Sequence, residues 1–199
     1  FIIINKNFLI TASYYAKINY PGNFLQVLSI LLFYLLPFFI SEILNIYKYY
    51  RNNLSRLIIL AIPIIFILLI DNIFKIDLIN FYNHGGGVFR KFFEILNLNL
   101  EIFICITSFM ALVILDYYFK NYLKFNYFLL ILLILCFPMY TIFQKYFDPL
   151  FYLFFFGLIK SDYFENLINN RTGSLSIIYC YFTLFLFFSN YYYFKINLY

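Results

Sequence analysis

A chain of 199 residues in which 65% are apolar and only 12% are charged has no room for a separate soluble domain of useful size. Its 14 Lys and Arg against 9 Asp and Glu leave a net charge of +5. That surplus is too dispersed for a nucleic-acid footprint, which needs a clustered basic face, and is ordinary for a protein anchored against anionic lipid. The 30 Phe and 22 Tyr, with no Trp, abundant Asn and more Lys than Arg, read as the codon bias of an AT-rich genome rather than as aromatic chemistry.

The first residues, FIIINKNFLI, look like the tail of an apolar segment. With Phe1 in first place, the expectation is a longer polypeptide of which this chain is the C-terminal part. Apolar blocks then follow at 24–47, 57–74, 98–119, 127–143, 148–160 and 175–194. A hydrocarbon core about 30 Å thick requires runs of this kind, and lipid offers backbone amides no partner, so the runs must be helices. The 148–160 block covers only about 18 Å as a helix. Its crossing is expected with Lys160 snorkelling to the interface, Asp148 as N-cap and Pro149 in the first turn. Pro37, Pro63 and Pro138 lie inside spans and are expected to kink them. The expected architecture is all-α, a single domain over 1–199. It is a polytopic integral membrane helical bundle of about six transmembrane helices with one interfacial amphipathic helix over 88–97.

Lys and Arg counts tie between the two faces. The short loops 48–56 and 120–126 hold five of the cations on their face, and the positive-inside rule acts most strongly on short loops, so that face is assigned to the cytoplasm.

The segment Asn83-His84-Gly85-Gly86-Gly87-Val88-Phe89-Arg90-Lys91 holds three of the six glycines and the single histidine. After it, Val88, Phe89, Phe92, Phe93 and Leu96 share one helical face, and Arg90, Lys91, Glu94 and Asn97 another. Glycines entering a helix N-terminus can present free amides to a phosphate, with Arg90 and Lys91 adding charge. The plainer reading is a flexible turn before a surface helix. His84 as a general base competes with His84 as a loop hydrogen-bonder. A second segment on the same expected face, Gln144-Lys145-Tyr146-Phe147-Asp148-Pro149, reads either as an anionic-headgroup contact or as an interfacial anchor.

Glu42, Asp71, Glu101 and Asp116 all fall within about two turns of a span end, where snorkelling and interfacial water lower their cost. None sits at a bilayer centre, which argues against a proton relay or voltage sensor. Cys105, Cys136 and Cys180 are far apart, form no CxxC pair and imply neither a disulfide framework nor a metal site. No cofactor is indicated.

The Lys145-Tyr146-Phe147-Asp148-Pro149 run resembles the cation-Tyr-x-x-Pro signature of GT-C-type glycosyltransferases, in their C-terminal membrane half. The 88–97 helix resembles the interfacial helix of an external loop in that superfamily. The resemblance implies transfer of a sugar from a polyprenyl-phosphate carrier to an extracytoplasmic acceptor. Lys145 and Tyr146 match the motif. Arg90, Lys91, His84, Gly85, Gly86 and Gly87 are inferred phosphate contacts beside them. The family's catalytic carboxylate in the first external loop has no counterpart here, so no catalytic residue is assigned. The partners implied are membrane lipids and a polyprenyl-phosphate sugar, in a bacterial inner membrane. Two alternatives stand beside this one: a lipid-linked polysaccharide polymerase or flippase, and an organelle-encoded accessory subunit of a respiratory complex in the mitochondrial inner membrane.

Overall fold

The computed structural model describes residues 20–74, 87–137, 142–169 and 174–196. Every regular element among them is helical. In chain order these are α1 (Tyr20–Arg51), α2 (Leu54–Phe74), α3 (Gly87–Ile95), α4 (Leu100–Phe119), α5 (Leu123–Leu135), a single 3₁₀ turn (Gln144–Tyr146), α6 (Phe147–Tyr152) running into a π turn (Leu153–Leu158), α7 (Asp162–Asn169) and α8 (Ser174–Ile196). Three of them, α1, α2 and α4, are long and apolar enough to cross a membrane by length and composition. Two shorter apolar stretches, Leu123–Leu135 and Ser176–Asn190, accompany them.

The first half of α1 is the axis of the bundle. Residues 25–35 are buried without interruption, so this helix has neighbours on every side. It packs on α2, α3, α4, α5, α6 and α8, and most extensively on α4. Small polar residues allow that close approach. Thr107 donates its hydroxyl to Ser29 Oγ at 3.0 Å, and Ser108 donates to the Leu25 carbonyl at 2.8 Å. Beyond Phe38, α1 buries only Ile46 and Tyr50, and exposes Ile43, Leu44 and Tyr47.

Two bonds require α1 to bend. The Leu25 carbonyl is held by Ser108, and the Tyr50 hydroxyl donates to the Val113 carbonyl at 2.8 Å. On a straight helix Leu25 and Tyr50 would stand about 37 Å apart, yet their partners on α4 are separated by only about 8 Å. Pro37 lies between them and supplies a kink point, since its ring displaces the preceding turn and removes one amide donor.

Helix α2 buries Leu60, Ile64 and Ile67 along one stripe and exposes Ile58, Ile62, Ile65, Phe66, Leu69 and Ile73. An outward face that is apolar over this length matches lipid rather than water. Between α3 and α4 the chain reverses through a Schellman turn: Leu98 N–H reaches the Phe93 carbonyl at 3.0 Å and Asn97 N–H the Glu94 carbonyl at 3.2 Å. Asn97 takes the left-handed conformation (φ 51°) that this turn demands and Asn tolerates. Asn99 then caps α4, its side chain accepting from Ile102 N–H at 3.2 Å.

Two expected spans come out differently. In place of the 127–143 span, α5 starts four residues earlier and ends eight residues earlier, closed by Cys136 and Phe137 before Pro138, because a residue preceding proline is driven out of the helical region. Its 13 residues cover about 20 Å. In place of one 148–160 helix, α6 passes into the π turn and ends at Ile159, which is extended. Asp148 is not its cap.

At the end of the bundle where α1 finishes, the buried Asp116 carboxylate joins four helices. One oxygen accepts from Tyr50 at 3.0 Å and from Arg56 at 3.4 Å, and the other accepts from Tyr127 at 3.0 Å. Arg56 also bonds the Tyr49 hydroxyl and lies over its ring. Asp116 sits near a span end as expected, yet two phenols and a guanidinium satisfy it in place of interfacial water. Asp116→Leu is expected to remove the acceptor that Tyr50, Tyr127 and Arg56 share and cost on the order of 3 kcal/mol, whereas Tyr50→Phe leaves Tyr127 and Arg56 on Asp116 and costs about 1 kcal/mol. Thermal unfolding of the two variants in detergent checks the order, and equal midpoints would refute the four-helix clamp.

Candidate functional site

The two unusual sequence segments meet in space. Val88 N–H, one of the amides that the first turn of α3 cannot satisfy internally, donates to Gln144 Oε1 at 2.9 Å. A side chain 56 residues away in sequence therefore caps α3. Gly87 makes the junction possible. Its φ is +78°, and a Cβ there would lie 2.9 Å from Ile30 Cγ1 and 3.3 Å from Gln144 Oε1. Only glycine lets α3 begin directly against α1. His84, Gly85 and Gly86 lie outside the described residues.

That anchorage sets the rotation of α3. Gly87 faces α1, and Arg90 and Phe93, three and six residues on, are buried with it. Phe93 packs on Phe103 at 4.7 Å between ring centroids. Phe92, Ile95 and Leu96 point outward instead, 53%, 64% and 48% exposed. This corrects the expected faces: the apolar residues are split between the two, and the arginine lies inside. Arg90 Nε donates to Glu94 Oε1 at 2.8 Å, one turn along. Lys91 is exposed.

Beyond Gln144 the chain makes its 3₁₀ turn, closed by Tyr146 N–H on the Phe143 carbonyl at 3.1 Å. Lys145 is exposed and its ammonium lies 5.4 Å from the centre of the Phe143 ring and 5.7 Å from that of Tyr146. Such stacking pins a long side chain at modest gain while leaving the cation accessible. Asp148 is exposed too, and one of its oxygens accepts from the buried Tyr34 hydroxyl. Tyr34 in turn stacks on Phe151 at 4.8 Å. The corner thus presents an exposed cation and an exposed carboxylate, each held from behind by aromatic residues. Asp148 was legible in sequence as a helix-start residue, but its partner on α1 was not.

Elsewhere Tyr163, on α7 outside the long apolar helices, shares a hydrogen bond of 2.8 Å with Ser41, and burial pushes its phenol above the ordinary value. No group of three or more His, Cys, Asp or Glu side chains among the described residues could hold a metal ion, and Cys105, Cys136 and Cys180 are free thiols.

Comparison of the chain with protein-family models, with curated proteins and with solved structures finds no significant match in any of the three. Length and composition define its class: a helical protein with three helices long and apolar enough to cross a membrane, consistent with an integral membrane protein.

Gly87→Ala tests the junction. Left-handed backbone costs a non-glycine residue roughly 1–2 kcal/mol, and the new methyl would press on Ile30. Faster amide exchange confined to α3 and residues 144–146 is the expected result; unchanged exchange there would show that α3 does not depend on this contact.

Proposed function

We propose that this chain is a membrane domain that binds the phosphate of a lipid-linked sugar at the α3 corner and serves transfer of that sugar to an extracytoplasmic acceptor. The single observation that carries the reading is the Val88–Gln144 bond, which brings the glycine-led start of α3 and the exposed Lys145 into one corner. In this reading Lys145 contacts the phosphate directly, as a point charge pre-positioned on aromatic rings. Tyr146, 39% exposed beside it, and Lys91 line the approach. Arg90 acts from behind the first turn of α3 and is paired with Glu94. No residue is assigned as the base. α5, residues 147–158 and α8 complete six crossings, the shorter ones with local thinning of the bilayer, in a bacterial inner membrane.

Binding of a polyprenyl-phosphate sugar to the purified full-length protein tests the site. Lys145→Ala is expected to weaken it about tenfold, the equivalent of about 1.4 kcal/mol, and Lys145→Glu to weaken it further. Undiminished donor affinity in both variants would remove Lys145 from the site.

A further inference from the structure

The end of the bundle opposite the α3 corner carries more cations than acids. The Asp116 clamp gathers the end of α1, the start of α2, the end of α4 and the start of α5. Asn126 adds the chain after the π turn, donating to the Lys160 carbonyl at 2.7 Å and accepting from Lys160 N–H at 3.1 Å. Lys48, Arg51, Lys120, Lys124 and Lys160 are thereby brought to one rim, and all five are exposed. Arg56 differs from them, being turned inward to Asp116. Beside the buried Asp116, three acids share this end with the five exposed cations. Glu42 is half-buried and accepts from Asn45 and Tyr117, Asp162 is bonded by Asn121, and Glu165 is exposed on α7.

Aromatic rings lie at the same level. The Lys120 ammonium is 4.8 Å from the centre of the Tyr117 ring, and that of Lys160 is 5.1 Å from the Phe125 ring. Tyr47, Tyr122 and Phe125 are exposed, 64%, 44% and 44%. Phenols and lysine stems of this kind sit where headgroups meet acyl chains, with the ammonium reaching outward to phosphate.

We propose that this rim is a collar for anionic phospholipid headgroups, held by Lys48, Arg51, Lys120, Lys124 and Lys160, and that it turns this end of the bundle toward the leaflet richer in anionic lipid. Each cation near such a surface contributes about 1 kcal/mol, which is about fivefold in lipid affinity. The collar is independent of the α3 corner and stands whether or not that corner binds a lipid-linked sugar.

The test follows the thermal midpoint of the purified full-length protein in phosphatidylcholine micelles titrated with phosphatidylglycerol, with more phosphatidylcholine, or with inorganic phosphate. Phosphatidylglycerol alone is expected to raise the midpoint saturably. Lys124→Gln and Lys48→Gln should each raise the half-saturating phosphatidylglycerol concentration about fivefold. Replacing all five cations with Gln should abolish the response, and replacing the four lysines with Arg should keep it. Equal effects of the two lipids, an unaltered response in the single Gln variants, or full substitution by inorganic phosphate would each overturn the proposal. The single variants carry the test if the five-site variant fails to fold.

Discussion

The structure depends on a helix that has protein on all sides. In lipid the hydrophobic effect gives no preference for helix against helix over helix against acyl chain, so a central helix must be held by close packing and by hydrogen bonds across the contact. The first half of α1 meets that requirement through Ser29 with Thr107 and through Ser108 on the Leu25 carbonyl, small side chains that bring two backbones together and satisfy each other. Asn23, also fully buried, reaches the Phe137 carbonyl at the end of α5 with its amide. Every other long element packs on α1. The bend near Pro37 then allows the second half to return to α4 at Val113 and Asp116.

The two ends of the bundle are held together differently. Around Asp116, a buried carboxylate is matched by two phenols and a guanidinium, and the cations left over face outward in a ring. Around α3 the arginine is drawn inside while hydrophobic side chains face out. The difference follows from what each end must hold together. Asp116 joins four helix ends through polar contacts. α3 is a short helix fixed by Gly87 against Ile30, by the Gln144 cap and by Phe93 on Phe103, and these contacts rather than its own amphipathicity set its rotation.

Rigid support from behind is the common device of the α3 corner. Lys145 lies on Phe143 and Tyr146, and Asp148 is held by Tyr34, itself stacked on Phe151. Long polar side chains lose much conformational entropy when a ligand fixes them, and prior restraint by aromatic neighbours reduces that cost. The same device recurs at Lys120 and Lys160 on the other end.

By itself the sequence determined that the chain is helical and built for lipid, because run length and hydropathy are local properties that a bilayer reads directly. It also located the unusual residues, Gly87, Lys145 and Tyr146 among them, since glycine clusters and cations stand out in an apolar chain. Tertiary structure alone decided which way α3 turns, that Gln144 caps it, that Asp148 answers to Tyr34 rather than to its own helix, and that Asp116 joins four helices. Each of these is a contact across tens of residues, and such contacts leave no periodicity to read. Where α5 stops falls between the two: Pro138 was visible in sequence, but whether it would kink a helix or end it depended on whether neighbouring groups could satisfy the freed backbone.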